Sequence, residues 1–352
     1  MSACGIEQVA NAVLYEGYIL YPYRPSAVKN RKRFNFGVLY PSGFSEAQGG
    51  IDACRVQTEC LIAAGADARL DVKVRFLQLI SRLVGEFDAP LAEMPEEPSA
   101  GFRLVESLEI DGAVFAAWQE AVEREIVVTD CGVAALATKP LRREFTLTSR
   151  EHYAALPNAR GRVAGAFLRR QHFILGAVEI SAEPAGEGHF KIRVRALNLT
   201  PFERSGTREA ATERALVSAH TILAVRGGEF VSLLDPPEAA KDAAAGCTNV
   251  GTFPVLAGEP GSRDAMLSSP IILYDYPQIA PESAGNFFDG TEIDEMLALR
   301  VMTMTEDEKR EMRQVDRHAR ELLERTESLP PEHLMKLHGA LRGLRPARED
   351  TV

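Results

Sequence analysis

The sequence predicts a β-rich α+β fold, with a body built from antiparallel hairpins and a C-terminal helical segment. Two patterns carry this prediction. Apolar and β-branched residues form several runs of strand length, separated by glycine, proline and aspartate turns. Near the C-terminus, apolar residues instead recur at helical spacing after the capping pair Thr305 and Glu308. Hydrophobic residues make up 45% of the chain, which is enough to form a core.

The first elements along the chain are predicted to be strands. Val13 to Leu20 and Phe34 to Tyr40 are rich in aromatic and aliphatic residues. Ile51 to Ile62 alternates as a third strand. Val72 to Val84 fits a strand and a helix equally, so its assignment stays open. Together, residues 1–85 are predicted to form an N-terminal β-rich region.

A linker is predicted at residues 86–101, where prolines and acids occur without periodicity. A central α+β domain follows over residues 102–300. Within it, Asp111-Gly112 predicts a hairpin, because both central residues of that turn need positive φ. Two further hairpins are predicted across Glu183 to Gly188 and across Gly227-Gly228.

Helices are predicted late in the chain. Composition favours a helix over Thr207 to His220, whereas Ile271 to Tyr276 is predicted as a short strand. Residues 301–345 are predicted to be helical, followed by a tail at residues 346–352. The first of these helices carries one apolar stripe, formed by Met312, Val315, Ala319, Leu322 and Leu323.

Charge and cysteine usage limit the class of protein. The net charge of −10 argues against nucleic acid as a partner. Five scattered cysteines imply no disulfide framework and indicate a reducing compartment. The first residues do not resemble a secretory signal, and no run approaches the roughly 18 apolar residues that span a bilayer. We therefore expect a cytoplasmic protein without membrane insertion.

No complete catalytic or cofactor motif occurs in the sequence. A phosphate-binding glycine loop and a nucleophile elbow are absent, and no metal ligands are paired at short spacing. No cofactor and no metal site are predicted. If the chain is an enzyme, its site is assembled from distant residues, and the candidates are His220, Asp235, Cys54 and Glu59. A buried core histidine explains His220 equally simply.

Two segments are candidate surfaces for contact with a partner. The first is a basic loop flanked by aromatic residues and formed by Arg24, Lys29, Arg31, Lys32 and Arg33. An exposed loop whose aromatic neighbours fill the core explains the same pattern. The second is an aromatic-acidic segment that includes Tyr274, Asp275, Tyr276, Asp289 and Glu292. A long loop pinned to the body by its aromatic residues is the alternative there.

Four stretches carry a resemblance to a known family: Tyr15 to Asn30, Leu267 to Pro277, Asp289 to Glu295 and Leu334 to Gly339. They resemble an uncharacterised bacterial family that is encoded in nickel-iron hydrogenase gene clusters, notably those of the high-affinity, oxygen-tolerant type. The resemblance implies an accessory or assembly factor whose partners are hydrogenase subunits or maturation proteins. It supplies no catalytic residue. An enzyme with an unrecognised site and a self-assembling structural subunit remain the alternatives.

Overall fold

The computed structural model describes residues 3–16, 18, 23, 35–96, 101–278, 294–314 and 317–328. The chain divides into two compact units, one formed by Met1–Tyr18 with Phe34–Gln278 and the other by Ile19–Arg33 with Ile279–Val352. The first unit contains the antiparallel strands, and the second contains the C-terminal helices. The predicted α+β class is therefore confirmed.

Among the residues that the structure describes, thirteen strands form the framework of the first unit. In chain order they are β1 (Arg55–Leu91), β2 (Phe102–Val105), β3 (Ser107–Ile110), β4 (Ala113–Ala116), β5 (Trp118–Gly132), β6 (Leu141–Leu147), β7 (Arg150–Pro157), β8 (Val163–Gln171), β9 (Ile174–Pro184), β10 (His189–Asn198), β11 (Val217–Val231), β12 (Phe253–Leu256) and β13 (Ala265–Ser269). Strands β3 and β4 pair only with each other, and the remaining eleven form one sheet.

Strand β1 is the centre of this sheet and is 37 residues long. Leu61 to Ala63 pair with both β10 and β11, so these two strands lie on opposite edges of β1. Further along β1, residues 69–77 pair with both β11 and β5, residues 80–82 with both β5 and β8, and residues 84–86 with both β8 and β2. Strands β10, β5 and β2 therefore lie along one edge of β1, and β11 and β8 lie along the other. The register shifts within the β11 and β8 pairings, and such bulges bend a strand.

In the described ranges, five α-helices accompany the sheet: α1 (Ala3–Tyr15), α2 (Ser42–Ala47), α3 (Val133–Thr138), α4 (Arg208–Thr212) and α5 (Lys241–Ala245). The main core contains Val72, Val74 and Phe76 of β1, together with residues of β9 to β11 and α3. Helix α1 covers the other face, because its apolar side chains contact Ile222 of β11 and Leu267 of β13.

Within the described residues, the second unit contains three helices, α6 (Asp294–Met302), α7 (Glu306–Arg313) and α8 (Arg317–Glu327). The capping box is confirmed: Thr305 Oγ1 accepts from Glu308 N at 3.3 Å, and Glu308 Oε2 accepts from Thr305 N at 2.9 Å. The predicted stripe is divided between α7 and α8. Its members Met312, Ala319, Leu322 and Leu323 are buried, and Val315 lies outside the described residues.

Two predicted hairpins are confirmed. Asp111 and Gly112 join β3 to β4 with φ values of 49° and 80°. Residues 185–188 join β9 to β10. The linker prediction is wrong at its start, since residues 86–91 belong to β1. Glu86 and Phe87 pair with β2, and Glu86 and Leu91 pair with β8, so the strand extends past Pro90 and the first acids of the predicted linker.

The prediction of a first strand over Val13 to Leu20 is wrong where the structure describes it. Residues 13–15 are the end of α1, whose buried residues Val9, Ala10, Val13 and Leu14 recur at helical spacing. Residues 35–40 form no strand either; Leu39 makes one isolated bridge to Leu216. The tyrosine-rich composition of residues 13–20 favours a strand. The apolar residues at helical spacing that precede it continue the helix as far as Tyr15 instead.

The helix predicted over Thr207 to His220 is mostly wrong. Only Arg208–Thr212 is helical, and β11 begins at Val217. The hairpin predicted at Gly227-Gly228 is also wrong, because β11 continues through both glycines to Val231. Gly228 allows the backbones of β11 and β1 to approach closely, because a Cβ on Gly228 would lie 3.0 Å from the Ala63 carbonyl oxygen of β1. In residues 217–220, which were predicted to be helical, the pairing of β11 with β1 overrides the local preference for a helix.

Candidate functional site

The structure describes one of the two predicted contact surfaces in part. The basic loop with Arg24, Lys29, Arg31, Lys32 and Arg33 lies outside the described residues, as do Asp289 and Glu292. Tyr274, Asp275 and Tyr276 are described. They do not form the predicted strand; they belong to a turn that follows β13, called here the Tyr274 turn, residues 271–276.

The Tyr274 turn is held at both ends by hydrogen bonds. At its start, Ser269 Oγ donates to the Ile271 carbonyl at 2.7 Å. At its end, the Asp275 carboxylate accepts from Ser232 Oγ at 2.5 Å and from Leu256 N at 2.8 Å. The following residue, Tyr276, packs against the main core. The turn therefore has a defined backbone position, fixed by the hydrogen bonds of Ser269 and Asp275 and by the packing of one aromatic residue, Tyr276.

Between these hydrogen bonds the side chains point alternately inward and outward. Leu273 packs against the apolar cluster under α1. Ile272 and Tyr274 are 74% and 86% exposed. Leu234, which lies beside the Ser232 end of the turn, is exposed as well. A large aromatic side chain on a fixed backbone loses little conformational entropy on binding, so it suits an interface anchor.

The Tyr274 turn also closes the edge of β12. Tyr276 N donates to the Leu256 carbonyl at 2.7 Å, and Asp275 accepts from Leu256 N, so both backbone groups of Leu256 are occupied. Pro254 removes another donor from the same strand. A closed edge resists pairing with other chains, and binding at this place therefore depends on side chains.

The four candidates for a catalytic site are not brought together. All four belong to the described part of the chain, and no hydrogen bond or ion pair joins any two of them. Asp235 is exposed in the segment that follows β11, and Cys54 is half-buried just before β1. His220 and Glu59 are buried. This arrangement does not form a nucleophile and base pair.

His220 is a core side chain on β11. Its Nδ1 lies 2.9 Å from the Ser218 carbonyl oxygen, so Nδ1 carries the proton and Nε2 does not. Burial lowers the pKa of His220 to about 4, and Arg75, its cross-strand neighbour, opposes the charged form further. Its ring has no exposed surface, so a substrate cannot reach it.

Glu59 fastens a loop to β1. Its carboxylate accepts from Arg193 Nε at 2.5 Å and from Thr248 N at 2.7 Å. The Asn249 side chain bonds both the N–H and the carbonyl of Glu59, at 2.8 and 3.2 Å. Burial, with a smaller contribution from Glu59, raises the pKa of Cys247 to about 11. The thiol is therefore protonated at neutral pH and is a poor nucleophile.

A charged cluster under α1 was missed by the sequence reasoning. Arg75 is buried and lies within 3.2 Å of Glu7 of α1 and within 3.1 Å of Glu123 and 3.0 Å of Glu125, both on β5. Lys73 bonds Glu7 at 2.6 Å. The alternation of side chains along a strand predicts that Lys73 and Arg75 share one face of β1, and that Glu123 and Glu125 share one face of β5. It does not predict that β1 and β5 pair, so the cluster could not be found from the sequence. The cluster anchors α1 to the sheet.

Neither a group of metal ligands in the described residues nor a match to a known protein indicates a function. Within the described ranges, no three His, Cys, Asp or Glu side chains are grouped so that they could hold a metal ion. None of the helices that the structure describes is long and apolar enough to cross a membrane. In comparisons with known proteins, no family model and no curated protein matches the chain.

Proposed function

We propose that the chain is an accessory or assembly factor for a nickel-iron hydrogenase, which works in the cytoplasm through protein–protein contacts. The proposed partners are hydrogenase subunits or the maturation proteins that act on them. The direction comes from the resemblance of four stretches to a family encoded beside such enzymes. One of those stretches, Leu267 to Pro277, contains the Tyr274 turn.

The observation that carries the proposal is the exposure of Ile272 and Tyr274 on a backbone held by Ser269, Ser232 and Leu256. A factor that holds a subunit during assembly needs adhesive side chains and no reactive centre. Aromatic anchors at the middle of an interface commonly contribute most of its binding energy. The Tyr274 turn offers such an anchor next to the exposed Leu234.

The test compares the tagged wild type with a variant that carries Ile272→Ser and Tyr274→Ser, purified from native-host cells that are making hydrogenase. We expect mass spectrometry to find hydrogenase subunits or maturation proteins with the wild type, and at least about tenfold less of them with the variant. Ile51→Ser is the matched control, because Ile51 is 89% exposed and lies before β1.

Two results would contradict the proposal. Recovery of the bait alone, from cells with active hydrogenase, rules out a stable complex. Equal recovery of hydrogenase proteins by the wild type and the double variant rules out the Tyr274 turn as the contact. Light scattering on the purified chain separates the self-assembling alternative, since the monomer mass is 38.5 kDa.

A further inference from the structure

Strand β5 has one edge that no described strand covers. Its other edge pairs with β1 from Trp118 to Gly132. At the start of the uncovered edge, Tyr18 Oη donates to the Gln119 carbonyl at 3.0 Å. From Ala121 to Val127, the outward backbone groups make no hydrogen bond to the described part of the chain. The Thr129 carbonyl accepts only from the Cys131 thiol, at 3.8 Å. These nine residues are about 30 Å of open sheet edge.

In the part of the chain that the structure describes, the uncovered edge of β5 has neither the proline nor the covering turn found at β12. Residues 121–129 contain no proline, glycine or lysine, and four of them are valine or isoleucine. Natural sheets usually block an exposed edge with such residues or with a covering loop, because unpaired N–H and C=O groups bind other strands. Charged residues also limit edge pairing, and Glu123, Arg124 and Glu125 therefore restrict this edge to a strand of complementary charge. A long, β-branched edge without proline is the structural basis of peptide recognition by strand addition.

Charge indicates what kind of strand would fit. On the face shared with α1, the edge carries Glu123 and Glu125, and then Val127, which is 49% exposed. Three carboxylates of the cluster, Glu7, Glu123 and Glu125, are paired with only two cations, Lys73 and Arg75. One negative charge therefore remains in excess. Opposite charges directly across two strands are stabilising, and like charges are destabilising.

We propose that residues Ala121 to Thr129 form a strand-addition site for an extended partner segment with an apolar residue followed by basic residues at alternate positions. In the antiparallel register the apolar residue faces Val127, and the basic residues face Glu125 and Glu123. A second copy of this chain fits less well, because antiparallel self-pairing brings the glutamates of two β5 strands together. This inference goes beyond the proposed function, since it concerns another surface and does not require hydrogenase as the partner.

The test uses a short synthetic peptide that contains Val-Thr-Lys-Thr-Lys, with blocked ends, and the full-length protein. We expect binding at peptide concentrations up to about 1 mM, weakened by salt, with slower hydrogen exchange at alternate amides between Ala121 and Thr129. A peptide of the same composition with Lys moved to the second and fourth positions places a lysine opposite Arg124. It should bind about tenfold more weakly.

N-methylation of the peptide backbone distinguishes strand addition from binding through side chains, because strand addition uses only every second N–H group. Methylating every second amide of the peptide in one register should abolish binding, whereas methylating the other set should leave it nearly unchanged, because only alternate N–H groups face β5. In the protein, Val127→Lys should weaken binding about tenfold. Val114→Lys is the matched control, since Val114 is 57% exposed on β4 and makes the same charge change.

Three results would overturn the inference. Absence of amide protection in β5 with the peptide at high concentration shows that the edge does not accept a strand. Equal loss of binding from both methylated sets shows that binding uses side chains only. Protection of the same amides that rises with protein concentration, without peptide, shows that the occupant is a second copy. None of these results depends on whether hydrogenase proteins are recovered with the Tyr274 turn.

Discussion

At the scale of single residues, His220 links stability to pH. Its pKa is about 4 in the folded chain and 6.5 as a free side chain. Between these values the unfolded state binds more protons, so the free energy of unfolding decreases as the pH falls from 6.5 to 4. The expected loss from His220 is roughly 3 kcal/mol, measured by urea unfolding at a series of pH values.

A variant isolates this contribution. His220→Asn should reduce the slope of stability against pH in that window without abolishing it, because burial and Arg214 also lower the pKa of His172. His152→Asn is the control, since His152 is exposed on β7 and its replacement should leave the slope unchanged. Identical slopes for the wild type and His220→Asn would show that His220 is not buried as neutral imidazole.

At the scale of elements, the Tyr274 turn depends on a glycine far away in the sequence. Gly37 has a φ of +53°, and a Cβ there would lie 2.7 Å from Pro270 Cβ, just before the turn. The proline ring is too rigid to move aside. Gly37→Ala should therefore destabilise the fold by about 2–3 kcal/mol, from backbone strain and overpacking together, as measured by urea unfolding.

Gly49→Ala separates the two causes of that loss. Gly49 also has a positive φ, +67°, but nothing lies within 4 Å of its Cβ position. This control should cost only about 1 kcal/mol, which is the strain of the backbone alone. If both variants lose the same stability, contact with Pro270 does not help to position the Tyr274 turn.

At the scale of the whole molecule, β1 should be the most stable part of the first unit. Arg69 to Leu77 pair with β11 on one edge and with β5 on the other, and every other strand of the large sheet connects to β1 directly or through neighbours. Opening these residues requires both neighbours to separate. We expect their amides to exchange at the rate of global unfolding, in native-state hydrogen exchange.

The short outer strands supply the comparison for that measurement. Strand β12 and the free side of β7 should exchange by local opening, at lower free energy. Slower exchange in the β9 and β10 hairpin than in Arg69 to Leu77 would contradict the central role of β1. Sequence reasoning left this region undecided, because Val72 to Val84 has apolar residues at both periods; burial on both faces of the strand explains that pattern.

Local signals in the sequence predicted the features that depend on a few neighbouring residues. Asp111-Gly112 has the positive φ values of a tight turn, and Thr305 with Glu308 forms a capping box. The contact surface predicted at Tyr274 and Asp275 from composition stays a prediction. The hydrogen bonds from Ser232 and Leu256 that hold Asp275 were not predictable, because both partners lie at least 19 residues away.

The sequence by itself determined the β-rich α+β class, two hairpins and the capped C-terminal helices, because turn angles, caps and periodicity act within one or two turns of chain. Only the tertiary structure decided the path of β11 through two glycines, the burial of His220 and the grouping of Arg75 with three glutamates. It also decided that one edge of β5 pairs with no strand among the described residues. Each depends on which strands pair with β1, and that pairing joins residues tens to more than a hundred positions apart.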